Sequence, residues 1–258
     1  MINLINDNNL DNESLFSNEL YDSHYPDGIE FHYWNIARFK IINQSIIDNV
    51  DIPIKGISIG CGKGVDIKSL RDYGIDIVGI EPSDIKPIKS IREYVTTNIS
   101  PFSDNKKLNG QFNTVFLLEV LEHLKEPGTY LNDIINFYTN VQYIIITVPA
   151  RSEIFSNYDI EVGHEKRYKL KDIDLLAKAV EMEVVFNKYI FNILYLFTLI
   201  WLYLFKKRPT IVNAPKTHMR KFHNFLGTII SYENKLFPSC LFGSSIISIL
   251  RVNRKKRN

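Results

Sequence analysis

Three glycines, Gly60, Gly62 and Gly64 in ISIGCGKG, follow directly on a short apolar run and precede a helical pattern. Without side chains there, backbone N–H groups approach a ligand closely while the chain turns from strand into helix. Twenty-one residues past Gly60 stands Glu81, at the end of the next apolar run in IVGIEPS. A carboxylate at that point can accept hydrogen bonds from both hydroxyls of a ribose. A glycine turn by itself also serves purely structural ends, but paired with this acid it implies an adenosine-containing cofactor. The dinucleotide fingerprint Gly-x-Gly-x-x-Gly needs its third glycine where Val65 stands, and here the glycine comes one place early. Pyrophosphate binding, and with it a nicotinamide-dependent oxidoreductase, is therefore the weaker alternative.

The elements that must hold these residues show in the hydrophobic periodicity. Residues 31–50 carry apolar side chains at helical spacing, and short apolar runs at residues 56–59, 75–80, 114–118 and 143–148 read as strands. Helical patterns at residues 66–73 and 130–138 separate them, and a further helix and strand are expected at residues 171–180 and 183–189. Alternation of this kind predicts an α/β fold, a doubly wound, mostly parallel sheet covered by helices on both faces.

The pattern then changes. Residues 189–205 read YIFNILYLFTLIWLYLF, interrupted only by Asn192 and Thr198, and Lys206, Lys207 and Arg208 follow at once. A helix of that length spans roughly 25 Å, short of the roughly 30 Å hydrocarbon core of a bilayer. It suits one leaflet of a membrane, a protein core or a dimer interface. The expected organisation is a flexible arm over residues 1–25 and a cofactor-binding domain over 26–188. A helical, membrane-associated insertion is expected over 189–236, with a final strand and basic tail over 237–258.

Charge supports a separate role for the last part. Residues 206–258 hold twelve Lys or Arg against the single acid Glu233, whereas residues 1–205 hold 28 acids against 19 bases. Such asymmetry points to an anionic partner, a membrane surface or a phosphorylated molecule, with a solvated tail as the plainer alternative. Cys61 and Cys240 form no disulfide framework or zinc spacing, and the N-terminal stretch lacks a secretory pattern. A cytoplasmic location, extending to the inner face of the membrane, is expected. No nucleic-acid-binding module is recognisable, so no nucleic-acid partner is expected.

The segments SIGCGKG, GIEPS, FNTVFLLEVLEHL and IIITVPA together resemble class I S-adenosylmethionine-dependent methyltransferases, particularly the branch of ubiquinone-biosynthesis enzymes and their polysaccharide-cluster relatives. HYWNIAR, TVPARSEIFSNYDIEVGHEKRY and LFPSCLFGSSIISILRV look like the flanking segments of a subgroup associated with glycan or lipid-linked saccharide assembly. The resemblance implies a seven-stranded Rossmann-like sheet, S-adenosyl-L-methionine as methyl donor, and a small-molecule or lipid-linked saccharide acceptor. It implies that Gly60, Cys61 and Gly62 lie beside the methionine part, that Glu81 holds the ribose, and that Pro82 borders the adenine. Asn98 and Ile99 match adenine-edge positions, and Glu119 and Val120 the exit of the fourth strand beneath the sulfonium. Arg38 and Trp34 would close over from the N-terminal helix, Arg38 on the donor and Trp34 towards the acceptor.

Two residues depart from the family pattern. Ser58 stands where an acid usually supports the glycine loop, and Asn113 where Asp is usual. Each loses a charge, which leaves binding without turnover as an alternative function.

Methyl transfer needs an in-line approach to the methyl carbon, so the enzyme's tasks are positioning and proton removal. His123 in LEVLEHL and His164 in VGHEKRY are the candidate bases, histidine being the side chain whose unperturbed charge change falls nearest neutrality. Packing of the loop after the fourth strand is the plainer role for His123. Asp159, Arg167 and Tyr168 flank His164 in the expected acceptor-facing loop, where an Arg pairs with a phosphate or carboxylate. Otherwise Asp159 and Arg167 tie that loop down. Similar E-x-x-E-H segments hold a divalent cation in some ubiquinone-pathway relatives. Glu119, Glu122 and His123 are read here without a metal, a cation being the alternative.

Overall fold

The computed structural model describes residues 25–103, 110–236 and 240–253. The expected N-terminal arm up to residue 24, and the basic tail from Arg254 on, lie outside the described residues.

Seven strands form one sheet in the order β3-β2-β1-β4-β5-β7-β6. They are β1 (Lys55–Ile59), β2 (Asp76–Glu81), β3 (Val95–Thr97), β4 (Thr114–Leu118), β5 (Tyr143–Pro149), β6 (Met182–Ile190) and β7 (Ser245–Val252). Only β7 runs antiparallel to its neighbours, sitting between β5 and β6. The remaining pairs are parallel. Every residue of β4 and β5 is buried, as continuous apolar runs require when both faces of a sheet are covered.

Alternate residues of the central strands feed opposite cores. Ile57, Val115, Leu117, Ile144 and Ile146 pack with α3 (Pro127–Phe137) and α5 (Leu170–Ala179). Phe116, Leu118 and Ile145 pack on the other side with α1 (Tyr33–Asn49) and α2 (Val65–Asp72). A short α4 (Asn157–Glu161) starts at a capping box of Ser156 and Asp159.

After β6 come α6 (Asn192–Phe205) and α7 (Arg220–Leu236). The helix expected from residue 189 starts at Asn192, because Tyr189 and Ile190 pair with Ile246 and Ser245 of β7, and Phe191 turns at φ 62°. α7 lies across α1 at Gly227, where an added Cβ would meet the Tyr33 carbonyl oxygen at 2.7 Å. Lys40 reinforces the contact by donating to Thr228 Oγ1 at 2.6 Å. Among the described residues, no helix is long and apolar enough to cross a membrane.

Candidate functional site

Strand order reverses between β1 and β4, and ligands of such sheets bind outside the carboxyl ends of the strands at that switch. The β1 exit is a run of left-handed backbone, with φ of 72°, 54° and 80° at Gly60, Gly62 and Gly64. Val120 beyond β4 stands 3.1 Å from where a Gly60 Cβ would be, so the two exits abut. Glu81, buried at the tip of β2, turns its carboxylate towards this bend, accepting from Gly62 N–H at 2.8 Å and Ser83 N–H at 3.0 Å. The chain returning from β3 lies alongside, with Asn98 N–H donating to Ser83 O at 3.2 Å and Ile99 N–H to Glu81 O at 3.4 Å. Pro82 and Asn98 are exposed beside it. Cys61 is buried beneath the bend, and burial pushes its thiol well up, which makes it a packing group.

The acid missing at Ser58 arrives from elsewhere. Asp66, in the first turn of α2, is buried against Ser58 and accepts a short hydrogen bond from its hydroxyl. Its other oxygen accepts from Ile67 N–H at 2.8 Å. Burial raises the Asp66 carboxyl to about 6, the Ser58 bond and then the charge of Arg38 pulling the other way. A serine at position 58 thus leaves a carboxyl beside the bend, supplied by the first turn of α2. The sequence signal was an acid placed just after Gly64.

Asn113 is at the other end of the sheet. It holds the entry to β1, accepting from Lys55 N–H at 2.9 Å and donating to Pro53 O at 2.8 Å. The lost charge there is no lost cofactor contact, which corrects the expectation from the family pattern.

Arg38 reaches the site from α1. It is buried, donates to Thr147 Oγ1 at 2.8 Å, and lies 3.4 Å from Glu119 Oε1. Its guanidinium lies 5.1 Å from the ring centroid of Trp34, which itself stacks on Phe191. Glu119 has φ 61° and Asn98 φ 56°, left-handed conformations that non-glycine residues adopt at a cost and that gather at functional sites. Thr147, on β5, is a partner that sequence reasoning did not single out.

Beyond β4 the polar groups converge. Glu122 is fully buried, and neither carboxylate oxygen has a hydrogen-bond partner among the described residues. Burial first, then the neighbouring Glu119 charge, pushes its carboxyl well above the usual range. His164 Nε2 lies 3.8 Å from Glu122 Oε1, while its Nδ1 is 2.9 Å from Asp159 Oδ1. The His123 ring stands edge-on to His164, with centroids 5.0 Å apart and Nδ1 3.1 Å from Gly163 O. Burial and the adjacent His164 lower the His123 pKa. Glu122, His123 and His164 each bring a ligand atom to within 4.8 Å of the others, a donor set able to hold a divalent cation.

Asp159, Arg167 and Tyr168 are engaged inside the protein. Arg167 donates to Asp159 Oδ1 at 2.7 Å and to Ala150 O at 3.0 Å, and Tyr168 donates to Leu121 O at 2.9 Å. Their geometry positions His164 and the loop after β4, the loop-tying alternative for Asp159 and Arg167.

Residues 38–200 match the methyltransferase domain family. Two curated relatives are ubiquinone biosynthesis O-methyltransferases. The one from Colwellia psychrerythraea is 26% identical over 39% of this chain and 47% of the relative. The mitochondrial one from Arabidopsis thaliana is 28% identical over 30% of this chain and 26% of the relative. The chain therefore spans less than half the length of each. Among solved structures, the [4+2]-cyclase SpnF superposes with TM-score 0.52 at 14% identity, covering 89% of this chain and 85% of that one. The methyltransferase domain of bacterial CtHen1-C gives 0.50 at 13% identity, covering 85% and 99%. These likenesses show the fold, which hosts more than one reaction.

The residues present fit the donor. Glu81 lies against the glycine bend, and the buried ion pair of Arg38 and Glu119 keeps Nε and Oε1 without a hydrogen bond among the described residues, capacity that the methionine end of the donor would take up. The sheet order and the match over residues 38–200 agree: the chain belongs to the methyltransferase domain family.

Proposed function

We propose that this enzyme O-methylates a hydroxyl of a saccharide, a lipid-linked saccharide or another small membrane-proximal acceptor, in the cytoplasm at the inner face of the membrane. The observation that carries the reaction type is the Asp159–His164 pair beside the exits of β4 and β5. With Nδ1–H donated to Asp159, the lone pair of His164 is on Nε2, the nitrogen facing Glu122. An acceptor hydroxyl bound there gives its proton to Nε2 as its oxygen forms the new bond to the methyl carbon. The donor supplies a methyl group on positively charged sulfur and leaves as S-adenosylhomocysteine. Asp159, itself held by Arg167, stabilises the imidazolium. Arg38 and Glu81 hold the two ends of the donor, and Trp34 borders the acceptor. The test is transfer of radiolabelled methyl groups into membrane lipid and saccharide extracts, with RNA as the comparison. Label confined to RNA, or donor binding with no transfer to any extract, overturns the reading.

A second reading of the same cluster rests on the unpartnered oxygens of Glu122. A divalent cation on Glu122, His123 and His164 would satisfy them and orient a hydroxyl pair of the acceptor. Raised thermal stability with Mn2+ or Mg2+, lost in Glu122→Gln, supports it. Unchanged unfolding and full activity in chelator favour the histidine base.

A further inference from the structure

Helices α6 and α7 carry an apolar face that nothing among the described residues covers. On α6, Phe197, Ile200, Tyr203 and Leu204 are between 58% and 85% exposed. On α7, Phe222, Phe225, Ile229 and Tyr232 recur every three or four residues and are between 50% and 63% exposed, while the opposite side of that helix is seated on α1. The helices are tied together where Glu233 Oε2 accepts from Ile193 N–H at 3.1 Å. Scattered exposed apolar side chains are ordinary, but this many on two joined helices mark an interaction surface.

Charge identifies the partner. Lys206, Lys207, Lys216, Lys221 and Lys235 are exposed along the same segment, and its one acid, Glu233, is buried. A second copy on this face would bring these lysines against the same lysines, whereas anionic headgroups would neutralise them. With 14 residues, α6 rises only about 21 Å, suited to lying in the headgroup layer and not to spanning the bilayer.

We infer that the α6–α7 face docks on an anionic lipid bilayer, with its aromatic and aliphatic side chains in the headgroup boundary and its lysines on the phosphates. The docked face is joined to the catalytic end of the sheet. Arg208 N–H donates to Asn157 Oδ1 at 2.9 Å, Asn157 Nδ2 donates back to Arg208 O at 3.0 Å, and the Arg208 guanidinium lies 4.6 Å from the ring centroid of Tyr158. Asn157 opens α4, the helix whose Asp159 holds His164. Docking therefore sets the acceptor side of the site beside the membrane, and in this the inference deepens the membrane-proximal reading proposed above.

The full chain is tested by co-sedimentation with phosphatidylcholine vesicles, with and without phosphatidylglycerol, at low and raised salt. It is expected to sediment with the anionic vesicles, several-fold less at raised salt, and weakly with phosphatidylcholine alone. Phe197→Glu and Phe225→Glu are each expected to weaken lipid binding about tenfold, with donor binding by calorimetry unchanged. Wild-type protein left in the supernatant at low salt overturns the inference. So do variants that bind vesicles like wild type, or a solution dimer that these substitutions dissociate. Vesicle binding is read without turnover, so failure of the proposed acceptor class leaves this result standing.

Discussion

The proposed donor half of the site and the proposed acceptor half are built from different materials. Around Gly60, Gly62 and Glu81 the work is done by backbone conformation and a single carboxylate already paired with N–H groups. Around Glu122, His123 and His164 it is done by side chains drawn from two loops and packed so that a carboxyl loses its solvent without gaining a hydrogen bond among the described residues. Leaving a buried acid unpaired is expensive, and groups held that way are found where a reaction or a ligand needs them. The donor half thus resembles a mould that fits on contact, and the acceptor half a set of groups completed by what enters.

Four experiments would break or sharpen that contrast. The largest effect belongs to His164→Ala, expected to lower kcat roughly a hundred- to ten-thousand-fold, as removal of a general base does, while donor affinity measured by calorimetry stays the same. Equal loss of both would merge the two halves.

Asp66→Asn comes next and concerns stability. The folded Asp66 carboxyl is raised from 3.8 to about 6, so its stabilisation is full below the unfolded value and is lost as pH rises through about 6. The asparagine variant escapes that loss, and above pH 7 it should be more stable by on the order of 3 kcal/mol, with the difference vanishing near pH 4 in urea titrations. A constant difference across pH would remove Asp66 as the buried acid.

Glu81→Ala is expected to weaken donor binding by about 1 to 3 kcal/mol, with kcat at saturating donor little changed. Smallest is Asn113→Asp, which restores the charge usual in the family at the far end of the sheet. It should alter donor affinity by less than about 0.5 kcal/mol, and a tighter complex would show that the two ends communicate.

What could be read in advance divides along the same line. β4 and β5 were legible as continuous apolar runs, and the donor bend as glycines followed by an acid, because each is a local feature of consecutive residues. β3 does not show in the periodicity, being three residues long with only Val95 buried, and only the family resemblance implies a strand ahead of Asn98. The start of α6 was placed too early, since the apolar Tyr189 and Ile190 suit a strand as well as a helix and only pairing with β7 decides between them. Asp66 shows in the sequence only as an acid soon after the glycines, and its bond to Ser58 depends on how strand and helix pack. The histidines were visible singly, but that Glu122 lies between Glu119 and His164 depends on how the loop after β5 folds back, which no local spacing encodes.

The place of β7 carries a consequence for how the molecule is made. Residues 245–252 occupy the gap between β5 and β6, both of which precede them in the chain by more than fifty residues. Until that segment has left the ribosome, two strands present bare edges to each other, and edges of that sort invite pairing with other chains. A nascent or C-terminally clipped copy ending before Ser245 would keep the glycine bend and the histidines yet remain an open, self-associating sheet. The sheet of this domain thus closes only once residues 245–252 have been made.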